Sequence, residues 1–221
     1  MPDTNSQSLK FAFNVPVRLF GPAVVSLTVA DYGDGKKSDP MYTTQFFFPP
    51  THPEVKAFKE ALQTVKVGKF GKDYENPDFC YPFRLGDKMY ANWERKGKAK
   101  GRDFVKGQIF VRASSKQFPP ALSFINGRDL IDIPDETRTA MASKFFSGAN
   151  AIVEITLSPY EGNGNRIPDG ITAYLNKVCA VGGGDRIGGG SSASTFAAYT
   201  RSLGTVSDED PTAGDDLAGL A

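Results

Sequence analysis

A mainly β chain that closes into a small barrel is the fold class this sequence predicts, and three observations carry it. Stretches rich in β-branched and aromatic residues recur along the 221 residues, among them "AVVSLTVA", "TTQFFF" and "AIVEITL". Helical periodicity is confined to one long stretch and one short one. Strands and helices do not alternate regularly, as a parallel sheet would require. About seven strands, with one inserted helix and another ahead of the last strand pair, fit an OB-fold-like closed barrel. A β-sandwich or jelly roll is the competing architecture.

The elements follow in chain order. Residues 1–8 are polar and expected to be disordered. Leu9 to Ala30 reads as extended, with Pro16 and Gly21–Pro22 marking a break or an edge position. After the polar loop "DYGDGKKSDP", "MYTTQFFFPP" is a second strand. Val55, Phe58, Leu62 and Val65 recur at helical spacing, with Thr51 as the expected N-cap and Gly68 just past the end. Residues 69–106 are the least regular part. "VKGQIFVRAS" returns to strand, and "PALSFINGRDLIDIP" predicts a hairpin turning at Asn126–Gly127. "PDETRTAMASKFF" predicts a short helix with an acidic first turn. "ANAIVEITLSPYE" and "GITAYLNKVCAVGG" are two further strands, joined by the loop "GNGNRIPD". The folded domain is thus expected over residues 9–187. Residues 188–221, small, polar and acidic, are expected to form a flexible tail.

Charge is segregated along this chain. The formal total is +1, yet Asp208, Glu209, Asp210, Asp215 and Asp216 lie beyond the last Arg. Setting those five aside leaves 26 cations against 20 anions, a net +6 on the body. A basic body with an acidic end is a pattern of interaction rather than of folding. No apolar run reaches the roughly 18 residues of a membrane span, and no secretory pattern opens the chain. Cys80 and Cys179 stand apart as unpaired thiols, consistent with a reducing cytoplasm.

Catalytic constellations are sparse. His52 is the sole histidine, is expected on the surface at a helix start, and has no Gly-x-Ser-x-Gly nucleophile turn to serve. Two distant cysteines and one histidine give no zinc-ligand spacing. The pairs Asp129/Asp132 and Asp135/Glu136 are explained by a turn and a helix N-terminus. "VGGGDRIGGG" lacks the Gly-Lys-Ser/Thr ending of a phosphate loop. The expectation is a non-enzymatic protein that needs no cofactor and no metal.

One segment does carry a chemical signal. "NWERKGKAKGRDFVKG", residues 92–107, contains six cations, three glycines and the only tryptophan. Around it, cations and rings interleave, which is the composition that holds a nucleic-acid strand. Lys and Arg neutralise phosphates and release counterions. Flat rings stack on base faces, which only unpaired bases present. The candidate contacts are Lys72, Tyr74, Tyr81, Phe83, Arg84, Lys88, Tyr90, Trp93, Arg95, Lys96, Lys98, Lys100, Arg102, Lys106 and Arg112. Phe104 and Phe110 are expected to face the core. The acidic tail would compete with nucleic acid for this surface, because a tethered polyanion acts at high effective concentration.

The strand "GITAYLNKVCAVGGGDRIGGG", with its Gly-Asp-Arg-x-Gly-Gly close, resembles phage-encoded single-stranded DNA-binding proteins with an OB-fold. "VRLFGP" and "YTTQFFFPPTHPEVKAFKEAL" are similar to the same family, so the resemblance spans roughly residues 15–190. It implies coating of single-stranded DNA without strong sequence preference during phage replication or recombination, in the host cytoplasm and without catalysis. It also implies that the acidic tail meets replication proteins such as a polymerase, helicase or nuclease. A phage structural or assembly protein and an RNA-binding barrel are the alternatives.

Overall fold

The computed structural model describes residues 8–29, 37–116, 118–163 and 167–187. The acidic residues Asp208, Glu209, Asp210, Asp215 and Asp216, the expected tail, and residues 1–7 of the start expected to be disordered over 1–8 lie outside the described residues.

Among the described residues, eight strands and two α-helices appear in chain order. They are β1 (Leu9–Thr28), β2 (Met41–Phe48), α1 (Val55–Phe70), β3 (Phe83–Leu85), α2 (Gly86–Arg95), β4 (Ile109–Ser115), β5 (Ala121–Asn126), β6 (Asp129–Ile133), β7 (Asn150–Tyr160) and β8 (Gly170–Ala180). Short 3-10 turns cover Asp103–Val105, Asp135–Thr137 and Ala142–Lys144. Their sheet order is β3-β4-β2-β1-β7-β8-β5-β6, with an additional β4–β8 pairing. That pairing closes β1, β2, β4, β8 and β7 into a five-stranded ring. Neighbours in the ring are antiparallel except at the closure, where Ser114 meets Tyr174 in parallel register. This connectivity is that of an OB barrel and removes the sandwich alternative.

Period-two alternation builds the barrel wall. On β7, Ala151, Val153, Ile155 and Leu157 are fully buried, and the residues between them are half-buried. On β2, Phe46 and Phe48 point into the core beside Phe13 of β1, with ring centroids 5.1 Å apart in both pairs. Helix α1 closes one side of that core through Val55, Phe58, Ala61, Leu62 and Val65.

Local chemistry differs from the sequence expectations at several points. β1 runs through Pro16 and Gly21–Pro22 as one twenty-residue strand, and register shifts between Phe13 and Val17 and between Phe20 and Ala23 absorb both prolines. The N-cap position of helix α1 falls at Glu54 rather than Thr51, with no side-chain capping hydrogen bond, and the helix continues through Gly68 to Phe70. The Glu54 carboxylate accepts hydrogen bonds from the backbone N–H of Asn14 (3.0 Å) and Val15 (3.2 Å) at the β1 irregularity, tying helix start to strand. His52 is 8% exposed, packed against Phe13 and Phe48, so it is a core residue and not a surface one. The hairpin turns at Gly127–Arg128, one residue later than expected, because Asn126 still pairs with Asp129. "PDETRTAMASKFF" forms two 3-10 turns instead of an α-helix. There Arg138 is 5% exposed, and its guanidinium donates to the carbonyls of Val24 (2.9 Å) and Pro120 (2.8 Å) and to Asp135 (2.7 Å).

Candidate nucleic-acid interface

The outer face of the β2–β4 ladder positions the site. Outward residues pair across it in three rungs, Phe47 with Phe110, Gln45 with Arg112, and Thr43 with Ser114. The first rung is covered. Phe47 and Phe110 stack at 5.0 Å, and with Val105 they form a second small core. Met89, Tyr90 and Trp93 of α2 pack onto it together with Phe20, Phe104 and Ile187. Phe104 and Phe110 therefore do not enter the barrel core as expected. They lie on its outside, roofed by α2. A glycine makes the roof possible, since a Cβ at Gly86 would stand 1.7 Å from the Val105 carbonyl oxygen.

The second and third rungs are open because β4 changes partner there. On its far edge, β3 pairs with Ile109 to Val111, and the last link is the Arg112 N–H to the Pro82 carbonyl at 3.0 Å. β8 takes over only at Ser114. At this fork lies a groove of about 290 Å³, lined by Gln45, Tyr81, Arg84, Arg112, Ser114 and Tyr160, with Thr172 of β8 on its far side. Among the described residues that line it, none is a carboxylate or an imidazole. Two guanidiniums in such surroundings favour an anion, and the forked donor geometry of Arg suits a phosphate.

The wall of the groove is fixed by a latch. Residues 80–82 bridge the fork, the Cys80 N–H donating to the Asp169 carbonyl (2.9 Å) and the Cys80 carbonyl accepting from Ile171 (2.8 Å). Gly170 allows that approach, since a Cβ there would lie 2.5 Å from the Cys80 oxygen. The Tyr74 hydroxyl donates a short hydrogen bond to the Asp169 carboxylate, whose other oxygen accepts the Gly162 N–H at 2.7 Å. These bonds hold the Asp169 carboxyl below the usual range, the Tyr74 contact first and the Gly162 N–H second. The same carboxylate raises the Tyr74 phenol. Rings then run from Phe70 through Tyr74 and Phe79 to Tyr81 and Phe83, with the Tyr81 ring 4.9 Å from Phe79 and 5.4 Å from Phe83. Tyr81 keeps 38% of its surface exposed on this rigid support. Across the groove, burial foremost and then the neighbouring Cys80 thiol push the Tyr160 phenol up, so it stays a neutral donor.

Of the fifteen candidate contacts, the fold brings Tyr81, Arg84 and Arg112 together at the groove. Lys88 and Arg95 ride on α2, Lys96, Lys98 and Lys100 on the segment after it, and Lys72 at the exit of α1; all six are exposed. The remaining six have partners within the protein. Arg102 sits over the Trp93 ring at 4.6 Å and Lys106 over Tyr90 at 3.9 Å. Lys106 also pairs with Asp103 at 2.8 Å, which holds the Asp103 carboxyl down and the Lys106 ammonium up. Tyr74 is engaged in the latch, and Phe83 packs against the main core. Gln45, Ser114, Tyr160 and Thr172 line the same groove and are not among the fifteen candidates. The alternation of "TTQFFF" places Gln45 on the face opposite Phe46, but only the strand register sets it beside Arg112.

A profile of the family described as the Enterobacter phage Enc34 ssDNA-binding protein matches residues 24–207. The chain belongs to that family. Among solved structures, the fold is similar to the single-stranded DNA-binding protein from bacteriophage Enc34. That match has 15% identity and a TM-score of 0.58, over 88% of this chain and 91% of that one. The structure of the same phage protein in complex with ssDNA is similar at 16% identity and a TM-score of 0.55, over 83% and 91%. No curated protein matches the sequence. This family membership agrees with the resemblance drawn from the closing strand and with the barrel topology. Among the described residues, no helix is long and apolar enough to cross a membrane.

Proposed function

We propose that this protein binds single-stranded DNA at the β2–β4 fork, coating it without strong sequence preference during phage replication or recombination in the host cytoplasm. The observation that carries the proposal is the convergence of Tyr81, Arg84 and Arg112 in a carboxylate-free groove on this barrel face. OB-folds bind oligonucleotides on the corresponding strands. Arg84 and Arg112 take phosphates, and Tyr81 offers a face to an unpaired base. Neither contact reads base identity, which accounts for weak sequence preference. The exposed cations of α2 and of residues 96–100 extend the phosphate path, while Trp93 and Tyr90 anchor that layer to the barrel. The role is binding alone, with no chemical step. Family membership supports the same role.

The acidic tail completes the proposal. Asp208, Glu209, Asp210, Asp215 and Asp216 compete with DNA for the cationic surface and present themselves to replication proteins once displaced. Deleting residues 207–221 then tightens DNA binding, and equal or weaker binding rejects the competition.

The test is a titration of labelled oligo-dT and of a duplex, with Tyr81→Ala and Arg112→Ala beside the wild type. Loss of one stacked base costs about 1–3 kcal/mol, so Tyr81→Ala weakens binding about 5- to 150-fold. Wild-type affinity in both variants rejects the groove.

A further inference from the structure

We infer that the DNA path does not end at the fork but continues over the barrel closure to a second stacking subsite, formed by Phe118 and Tyr174, that takes unpaired bases. The inference rests on the proposed binding role. Tyr174 follows Thr172 of the groove by one pleat repeat, about 7 Å along β8, and points to the same outer face. Its partner across the closure is Ser114, which also lines the groove. A depression of about 500 Å³ opens there, bounded by Ser115, Lys116, Phe118, Pro119, Tyr174 and Asn176.

Phe118 is 73% exposed, the highest value among the large hydrophobic side chains described, and Tyr174 is 48% exposed. Neither belongs to the two hydrophobic clusters, so among the described residues these rings contribute nothing to the cores. The backbone carbonyls of Phe118 and Pro120 are each tied by a side-chain hydrogen bond. The Ser115 hydroxyl donates to the Phe118 carbonyl, and the buried Arg138 guanidinium donates to the Pro120 carbonyl at 2.8 Å. One ring stands on strand β8 and the other beside hydrogen-bonded carbonyls, an arrangement that limits the freedom lost on stacking. Lys116 on the rim is ion-paired with Asp39 at 2.9 Å, which leaves the depression close to neutral and suited to base faces. Continuity with the arginine groove selects the departing strand as the occupant, rather than a second copy of the chain.

The test uses the full chain and oligo-dT of increasing length, from about four to sixteen nucleotides. Phe118→Ala and Tyr174→Ala each weaken binding of the long oligonucleotides about 5- to 150-fold. The shortest ones, which fill only the arginine groove, bind as to wild type. The salt dependence of binding is unchanged, since no phosphate contact is lost, and Phe118→Trp restores affinity. Photocrosslinking of 5-iodouracil oligonucleotides maps to one of the two rings. Wild-type affinity at every length, or an equal loss at every length, overturns the subsite. So does a DNA-independent self-association that Phe118→Ala abolishes, because the patch then belongs to a second copy. Arg112→Ala, run alongside, separates the two failures. Loss in that variant alone removes the subsite and keeps the groove, whereas no loss in any variant removes the groove itself.

Discussion

Replacing Lys96, Lys98 and Lys100 together with Ala tests whether the cationic segment after α2 touches DNA at all. The three ammonium groups are exposed and form no ion pair with a described residue, and the Asp103 carboxylate beyond them is already engaged by Lys106 at 2.8 Å. They are therefore available to phosphates, and removing them should not unfold anything. Each phosphate contact on a single strand contributes about 0.7 to the slope of log affinity against log salt. The triple variant should flatten that slope by about 2 if all three contact DNA. Over a fourfold rise in salt, wild type should then lose roughly 20-fold more affinity than the variant. Fluorescence anisotropy of labelled oligo-dT at four or more salt concentrations reads this directly. Parallel lines for the two proteins would refute the reasoning, because a cation that meets phosphate must release counterions.

Asp169→Asn should loosen the groove wall and weaken oligo-dT binding while leaving the barrel folded, and it should return the Tyr74 phenol toward its ordinary value near 10. An ultraviolet difference titration, with Tyr74→Phe to assign the signal, checks this; an unmoved Tyr74 midpoint would dismiss the latch. In the wild type, the depressed Asp169 carboxyl makes a contribution that is complete above the ordinary carboxylate pKa and fades as pH falls through the lowered value. The raised Tyr74 phenol works in the opposite sense, its contribution lost as pH rises through the elevated value. The wall should thus hold from mildly acid to strongly alkaline pH, and a loss of binding near neutrality would contradict it. Trp93→Ala should cost about 2 kcal/mol of stability, roughly half the loss for a fully buried ring, because Trp93 packs half-buried on the Phe47–Phe110 cluster. A urea midpoint equal to wild type would return Trp93 to the list of free stacking rings.

Strand positions were legible because their signal is local. Alternation in "AIVEITL" and "GITAYLN" marks half-buried strands whatever the rest of the chain does, and helical spacing marked α1 from Val55 to Val65. Features set by distant partners were not. Pro16 and Gly21–Pro22 look like breaks until register shifts against β2 and β7 absorb them. In "GDKMYANWER", Met89, Tyr90 and Trp93 share one helical face, but nothing local says what that face covers; it lies over the Phe47–Phe110 rung where Gly86 permits the close approach to Val105. His52 looked superficial from its neighbours and is buried by Phe13, thirty-nine residues upstream.

The binding chemistry divides in the same way. Composition alone put cations and rings between residues 69 and 112, and it set a basic body against an acidic end, since charge and side-chain type belong to the chain before it folds. Which of those groups face one another was decided by strand pairing across long separations. β4 leaves β3 and joins β8 near Arg112, and that exchange opens the groove and brings Tyr160 and Thr172 to it from the far end of the sequence. The same folding turned Trp93 and Tyr90 toward an outer core and left Tyr81, Phe118 and Tyr174 facing water. A ring's availability depends on what covers it, and only the closed barrel fixes that.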